Sequence, residues 1–472
     1  MVAIPLASKS DPAEREVVGI ETLVNMRAVK APSQSKSEQF YLTRTPGFGS
    51  WSACSPELCR GLYAATSTLA LGLYGSTLFK FNSSGGPTSI GSISGTSDVR
   101  WAINNANEVV IVTGTTAYQY DIDANSLSVV SDNDLPANPI DVGSIDGIIL
   151  YAFADRRVFY TPVNDANSID SLDFFTVPGT GQLKAVVVLG QMIFFFSDKE
   201  YCVYVRDGND ADEPFKLLKG AGKPFGCINT HANSTIAGSL YFVDQDGIAR
   251  SIAEGGGLPQ AISNSGVQVD IRLLEDKDEI RVWGYTSGGT GFVVVRSSEF
   301  AWVYDIREVR WHNRLSYQRT TWQPKFQMRF ANLDIIAPDQ SGEAFYLSED
   351  LLTENGEHIV WEVTCPTVHQ FPNGIVLHRL ALDIEAGTAV GADGAEEDQE
   401  PAITMFKSID GGKTWSTGRQ ASLGRRGEWN KPVTWNRLGM TGRHGVIFRF
   451  SGSAAVANAL MNLDLTPSKR AA

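Results

Sequence analysis

The sequence predicts an all-β protein, with a six- or seven-bladed β-propeller over residues 58–362, an irregular, extended N-terminal arm over 1–57 and a C-terminal β-sandwich over 363–472. Three observations carry this expectation. A hairpin-like unit recurs along the chain at a nearly constant step. The 45 glycines and 23 phenylalanines suit a protein of many turns and aromatic-packed sheets. At 472 residues the chain is also too long for one ordinary core, which requires several domains or one large repeat architecture.

The arm comes first. Pro5, Pro12, Pro32 and Pro46 punctuate it and Ser33–Glu38 is polar, so it reads as a segment laid over a folded body, with one short helical turn near Ala13–Val18. From about Leu58 the repeat begins. Each unit is an apolar run, a tight polar turn and a second run rich in aromatic and β-branched residues. The pairs of runs are Leu69–Leu73 with Thr77–Phe81, Val109–Thr113 with Ala117–Tyr120, and Ile148–Phe153 with Val158–Tyr160. They continue with Met192–Phe196 and Tyr201–Val205, Leu240–Val243 and Ile248–Ile252, Phe292–Val295 and Phe300–Tyr304, and Leu333–Ile336 and Ala344–Leu347. The turns fall near residues 75, 115, 155, 198, 246, 298 and 341, a step of 40 to 52 residues that matches one four-stranded blade. Flanking runs such as Val186–Leu189 and Ile280–Tyr285 supply further strands. Ile193-Phe194-Phe195-Phe196 is apolar on both faces, as a strand stacked between neighbouring blades must be. A series of sandwiches, the rival all-β arrangement, would not need so regular a step.

After about Val363 the rhythm changes. Ile375–Glu385, Ala402–Lys407, Val433–Gly439, Val446–Phe450 and Leu460–Leu465 read as strands of a separate sandwich, with Asp393–Glu400 as a solvated acidic loop and Ser468–Ala472 as a frayed tail.

Composition excludes several classes of function. The net charge of −13 argues against gripping DNA through its phosphates, which needs clustered Lys and Arg, but is compatible with surrounding DNA without holding it. No apolar run approaches the roughly 20 residues of a membrane helix, and Met1–Pro5 does not open a secretory signal, so a cytoplasmic origin is expected. Cys54, Cys59, Cys202, Cys227 and Cys365 lack zinc or redox spacing and read as buried thiols. The six histidines (His231, His312, His358, His369, His378, His444) are scattered, and no phosphate-cradling glycine loop or nucleophile elbow occurs. Sequence cannot pair carboxylates across strands, so a glycosidase dyad stays open. No catalytic, cofactor or metal residue is assigned, and the protein is expected not to be an enzyme.

One motif is sharper. Ser408-Ile409-Asp410-Gly411-Gly412-Lys413-Thr414-Trp415 matches the Asp-box of sialidase blades, in which the Asp ties turn amides, glycines accept positive φ and the Trp packs beneath. Ser408, Asp410, Gly412, Thr414 and Trp415 are therefore a structural turn with Trp415 in the core; the alternative is a glycan-binding or glycan-hydrolysing, sialidase-like propeller. Arg425-Arg426 with Arg437, Arg443 and Arg449 give the last stretch a basic cast, either as solvated strand ends or as a contact for an acidic partner.

Val24-Asn25-Met26, Tyr41-Leu42, Pro46-Gly47 and Arg60-Gly61, then Lys219-Gly220, Gly226–Asn229, Ser239–Val243, Leu377–Ile384, Ser408–Thr414 and Val433–Gly439, together resemble the packaged-DNA stabilisation (tail accessory, hub or nozzle) proteins of short-tailed phages, over most of the chain. The resemblance implies a structural virion-tail subunit, assembled in the host cytoplasm as a homo-hexamer on the portal and adaptor ring. Such a ring carries the tail needle or fibre, closes the capsid and encloses double-stranded DNA without reading its sequence. Asp155, Asp198 and Asp246, at propeller turns, are the acids expected at a rim or along a channel, repelling a sliding duplex; plain turn formation is the alternative for each.

Overall fold

The computed structural model describes residues 2–13, 19–31, 40–208, 213–370, 373–390, 395–442 and 444–469. Within them the repeat becomes seven sheets in chain order, each antiparallel across its first four strands. Sheets one to five occupy 59–92, 100–129, 141–176, 183–217 and 233–261, with four strands each; sheets six and seven begin at 281 and 324 and run on beyond four strands. From sheet two to sheet seven the first strand of each sheet lies beside that of the next, and Pro324–Phe330 of sheet seven lies beside Cys59–Ala64 of sheet one. Tyr63 stacked on Trp101 at 5.8 Å joins sheets one and two.

Each hairpin expected from the sequence is the second-to-third-strand hairpin of one sheet, from Ala70–Tyr74 with Thr77–Phe81 to Leu333–Pro338 with Glu343–Ser348. The second strands are conspicuous because both of their faces are covered: every residue of Ala70–Tyr74 and of Ile148–Ala152 is buried. In Met192–Ser197, Phe195 packs toward sheet three while Phe194 and Phe196 face sheet five, where Phe242 lies 4.9 Å from Phe196. Each such ring contributes roughly 1.5–3 kcal/mol by leaving water. The core between sheets seven and one holds Phe81, Tyr74 and Phe330, with Trp51 of the arm 5.2 Å from Phe81. First-to-second-strand turns are tighter. Asp146 and Gly147, at φ 49° and 83°, close the sheet-three hairpin with the twist that a two-residue loop requires.

Residues 1–57 carry more strand than their prolines suggest, because Pro5, Pro12 and Pro46 stand between strands, where no amide donor is needed. Gly47–Ala53 pairs with Glu343–Ser348 as the fourth strand of sheet seven, Phe48 opposite Leu347. Thr22–Val24 lies between two domains: Val24 faces Asn313 at the outer strand of sheet six, and Thr22 faces Thr364 of Trp361–Thr364. Beyond it follow Ile447–Gly452, Ala402–Ser408 and Arg419–Ser422, so sheet six and one layer of the sandwich are one nine-stranded sheet. The second layer runs Met26–Lys30, Phe40–Arg44, Ala459–Lys469, Ile375–Ile384, Val433–Met440, with Val2–Ile4 also on Ala459–Lys469. Leu23, Met26, Trp361, Met405 and Phe448 fill the space between the layers.

Positions 14–18 of the helical turn expected near Ala13–Val18 and the whole polar stretch Ser33–Glu38 fall outside the described residues. So do 393–394 of the acidic loop and 470–472 of the tail. The rest of that loop is not simply solvated: it forms the short helix Glu396–Gln399, and Asp398 is buried, accepting from Ala455 N at 2.6 Å. A longer helix was also not anticipated. Ser265–Leu273 is capped by Asn264, whose side chain accepts from Val267 N, and buries Val267 and Ile271 between sheets five and six.

Candidate functional site

The Asp-box forms the loop between Ala402–Ser408 and Arg419–Ser422. Asp410 accepts from Thr414 N (3.0 Å), Thr414 Oγ1 (2.6 Å) and Ser408 Oγ (2.7 Å), while Gly412 N donates to Ser408 Oγ (2.9 Å). These bonds to Thr414 and Ser408 hold the Asp410 carboxyl well below the usual carboxylate range. Gly412, at φ 93°, lies so close to Ile20 of the arm that a Cβ would meet its Cδ1. Trp415, expected in the core, is half-buried instead. The loop sits near the end of its sheet, and Trp415 is covered by the Arg449 guanidinium 4.0 Å from its ring, itself 3.4 Å from Glu362. The polar groups of the motif are thus committed to their own turn, which leaves the sialidase-like alternative without a free acid here.

Asp155, Asp198 and Asp246 occupy the second-to-third-strand turns of sheets three, four and five, which the strand directions put on one face of the propeller. Asp155 is exposed and pairs with Arg157 Nε at 2.7 Å. Asp246 is exposed, its own amide held by Asp244 Oδ1 at 2.9 Å. Asp198 is half-buried beside Gly181, with Oδ1 unbonded among the described residues, so it presents less charge to solvent than the other two.

The inner strands hold charges that the sequence reading did not single out. A cavity of about 560 Å³ opens where Thr96, Asp98, Asn229, His231 and Asp278 of the inter-sheet connections meet Arg100, Lys184, Arg281 and Lys325. Arg100 Nε bonds Asp141 Oδ1 at 2.8 Å, and Asp141 Oδ2 accepts from Val186 N at 2.8 Å, tying sheets two, three and four. Asp98 accepts from Arg281 Nε (3.0 Å) and Lys325 Nζ (2.7 Å), tying sheets six and seven to the approach to sheet two. Burial raises the Asp141 carboxyl despite Arg100, and burial followed by Arg281, Arg100 and Lys325 pushes His231 well below the ordinary imidazole value. The signal was positional: Arg100, Asp141 and Arg281 each open the first strand of a sheet, and Lys184 and Lys325 stand second. Removing one partner of such a pair strands a buried charge, at a cost of about 3–5 kcal/mol.

A third cluster joins the domains. Asn25 is 1% exposed and left-handed at φ 54°, where the chain leaves the nine-stranded sheet for the second sandwich layer. Its Nδ2 donates to Leu315 O (2.8 Å) and Val360 O (2.7 Å), and its Oδ1 accepts from Leu315 N (3.1 Å). Arg44 donates to the carbonyls of Ala454, Val456, Leu352 and Ile359, and burial lowers its pKa to about 10. Arg314, wholly buried, lies 3.9 Å from the Trp322 ring and 3.3 Å from Glu354, which also accepts from Trp322 Nε1 at 2.8 Å. Burial raises the thiols of Cys227 and Cys365 to about 12. Among the described residues no group of three or more His, Cys, Asp or Glu is placed to hold a metal ion, and no helix is long and apolar enough to cross a membrane.

The family profile for the bacteriophage P22 Gp10 β-propeller matches residues 6–350, and that for the Gp10 β-sandwich matches 360–467. The chain belongs to the bacteriophage P22 Gp10 family. Members of the P22 Gp10 family are packaged-DNA stabilisation proteins, and this chain is a phage structural protein of the virion. The Gp10 propeller profile begins inside the arm, as it should when Gly47–Ala53 completes a blade. No curated protein sequence matches the chain. Among solved structures it is similar to the WD40 β-propeller domain of Doa1 (10% identity, 65% of this chain and 98% of that one, TM-score 0.43). It is also similar to the computationally designed Ika8 protein (14%, 70% and 100%, 0.41) and to the Cps50 (Swd1) β-propeller of Myceliophteria thermophila (9%, 64% and 99%, 0.44).

Proposed function

We propose that this P22 Gp10 family member is a tail hub or nozzle subunit, six copies of which sit beneath the portal and adaptor ring, close the capsid after packaging and form part of the ejection channel. In this reading the ring assembles in the host cytoplasm, carries the needle or fibre and surrounds the duplex without reading it. The observation that carries the proposal is the nine-stranded sheet running from sheet six through Thr22–Val24 into the sandwich. A plug holding back packaged DNA bears load across its domain joint. A joint made of continuous strand pairing, with Asn25 and Arg44 bonding both sides, resists hinging that a flexible linker would allow. The overall charge of −13 suits a wall past which DNA must slide.

The test uses filled capsids that carry portal and adaptor but lack this protein. Adding the purified protein should stop DNA from becoming accessible to nuclease, and electron microscopy should show a six-fold ring below the adaptor. Capsids that keep losing DNA with the protein bound, or that never bind it, would refute the proposal.

A further inference from the structure

The acidity of the chain is unevenly placed. Among the described residues, sheets two to four, within 100–217, hold 15 acidic and 7 basic side chains, a net charge of −8, whereas 401–468 hold 3 acidic and 8 basic, a net charge of +5. The two regions lie at opposite sides of the fold. Arg419–Ser422 ends the nine-stranded sheet and Val433–Met440 ends the second sandwich layer, so both are open edges on the side of the sandwich away from the propeller. They are pinned together by Trp435 Nε1 donating to Arg419 O at 2.8 Å. This double edge bears Arg419, Arg426 and Arg437, all exposed and none in an ion pair among the described residues. Lys407 has its pKa lowered by burial and by the nearby charge of Arg419, a crowding of like charges that folding leaves unneutralised. Beside these cations Trp429 is 65% exposed and Met440 54%.

Across the propeller from sheet six, the fourth strands Ser126–Val129, Phe174–Thr176 and Phe215–Leu217 are likewise open edges. Val129, Phe174 and Leu218 are exposed there, and Leu172 is 81% exposed, amid the exposed acids Asp123, Asp165 and Asp170. We propose that the basic double edge of one copy docks on the acidic outer edge of sheets two to four of the next copy. This rests on the ring reading above and names its joint. Two different patches of one molecule make a head-to-tail contact, the type that builds a ring when the rotation between copies closes. Opposite charge selects and orients the pair, and Trp429 supplies an aromatic anchor that cations alone lack.

The experiment mixes ¹⁵N-labelled and unlabelled full-length chains and joins Lys to Asp or Glu with a zero-length carbodiimide, both at high protein concentration and in assembled tails. Mass spectrometry then reads links between differently labelled chains. Links between Lys413 or Lys431 and the acids of sheets two to four are expected. They should fall at least tenfold in Arg426→Glu/Arg437→Glu and in Asp165→Lys/Asp170→Lys, with unchanged melting temperatures. A chain carrying all four substitutions should regain them, because the reversed charges attract again. Inter-chain links concentrated elsewhere, or a four-fold variant no better than either pair, would overturn this joint and leave the ring intact. Absence of any inter-chain link in assembled tails would overturn the ring reading as well.

Discussion

Asn25 is where the domain joint can be tested by one side chain. Asn25→Ala removes the donors to Leu315 O and Val360 O and the acceptor for Leu315 N, in a site with almost no access to water. Three hydrogen bonds at about 1 kcal/mol each cost roughly 3 kcal/mol. The left-handed backbone at φ 54° adds about 1–2 kcal/mol for a residue with a Cβ and no local polar compensation. Asn25→Ala should therefore cost roughly 4–5 kcal/mol, and Asn25→Gly about 1–2 kcal/mol less because glycine accepts the same φ. A protein of two domains need not unfold in one step, so the assay is hydrogen exchange by residue alongside urea unfolding. The Leu315 amide, whose acceptor is the deleted side chain, should exchange more than a hundredfold faster in both variants. Shifts below about 1 kcal/mol would refute the reasoning that this residue bonds the joint together, and identical behaviour of Ala and Gly would refute the share assigned to its left-handed backbone.

His312 is 2% exposed, and burial, then Arg314 and Arg27, hold its pKa well below the ordinary imidazole value of about 6.5. The unfolded chain takes a proton there that the fold refuses, so stability should drop by up to about 1.4 kcal/mol per pH unit as pH falls below 6.5. Urea midpoints between pH 7.5 and 5 should show that slope reduced in His312→Gln. Asp410→Ala should open the loop 408–418 to protease while leaving the global unfolding transition in place, since its bonds are all local. Asp155→Lys with Asp246→Lys should slow DNA ejection in low salt without impairing capsid closure, and added salt should relieve the delay. Equal ejection rates in both salts would remove these two acids from the channel.

The repeat was legible because each second strand is apolar on both faces and each following turn is polar, a contrast visible within about ten residues. The first strands were harder to see. Arg100–Ile103 is only four residues, mostly half-buried, and its arginine serves a partner 41 positions away. The arm strands were harder still: Thr22–Val24 has three residues, and what makes it a strand is Asn313 and Thr364, hundreds of positions later. The signal for the helix was present, with Asn264 as cap and Val267 and Ile271 four apart, but nine residues between two strands are easily passed over. Trp415 was misplaced because residue type suggested a core, whereas the edge of the sheet gave it an arginine to lie against. The turn acids differ for a reason no sequence shows: Asp198 lies against Gly181, Asp155 and Asp246 against water.

Sheet seven is completed by a strand made near the start of translation and three made near the end of the propeller. Between Ala53 and its partner Glu343 lie roughly 290 residues, on the order of 15–60 s of synthesis at 5–20 residues per second. During that interval Gly47–Ala53 has nothing to pair with, and the apolar faces of Phe48 and Trp51 stay open. The propeller can therefore close only after its last blade has left the ribosome, and the contact that closes it is among the slowest kind to form. A chain that stops early has neither a closed propeller nor a sandwich sheet to receive Thr22–Val24. Complete synthesis thus becomes a physical precondition for a rigid subunit, so unfinished copies are sorted out by geometry before they can reach a particle.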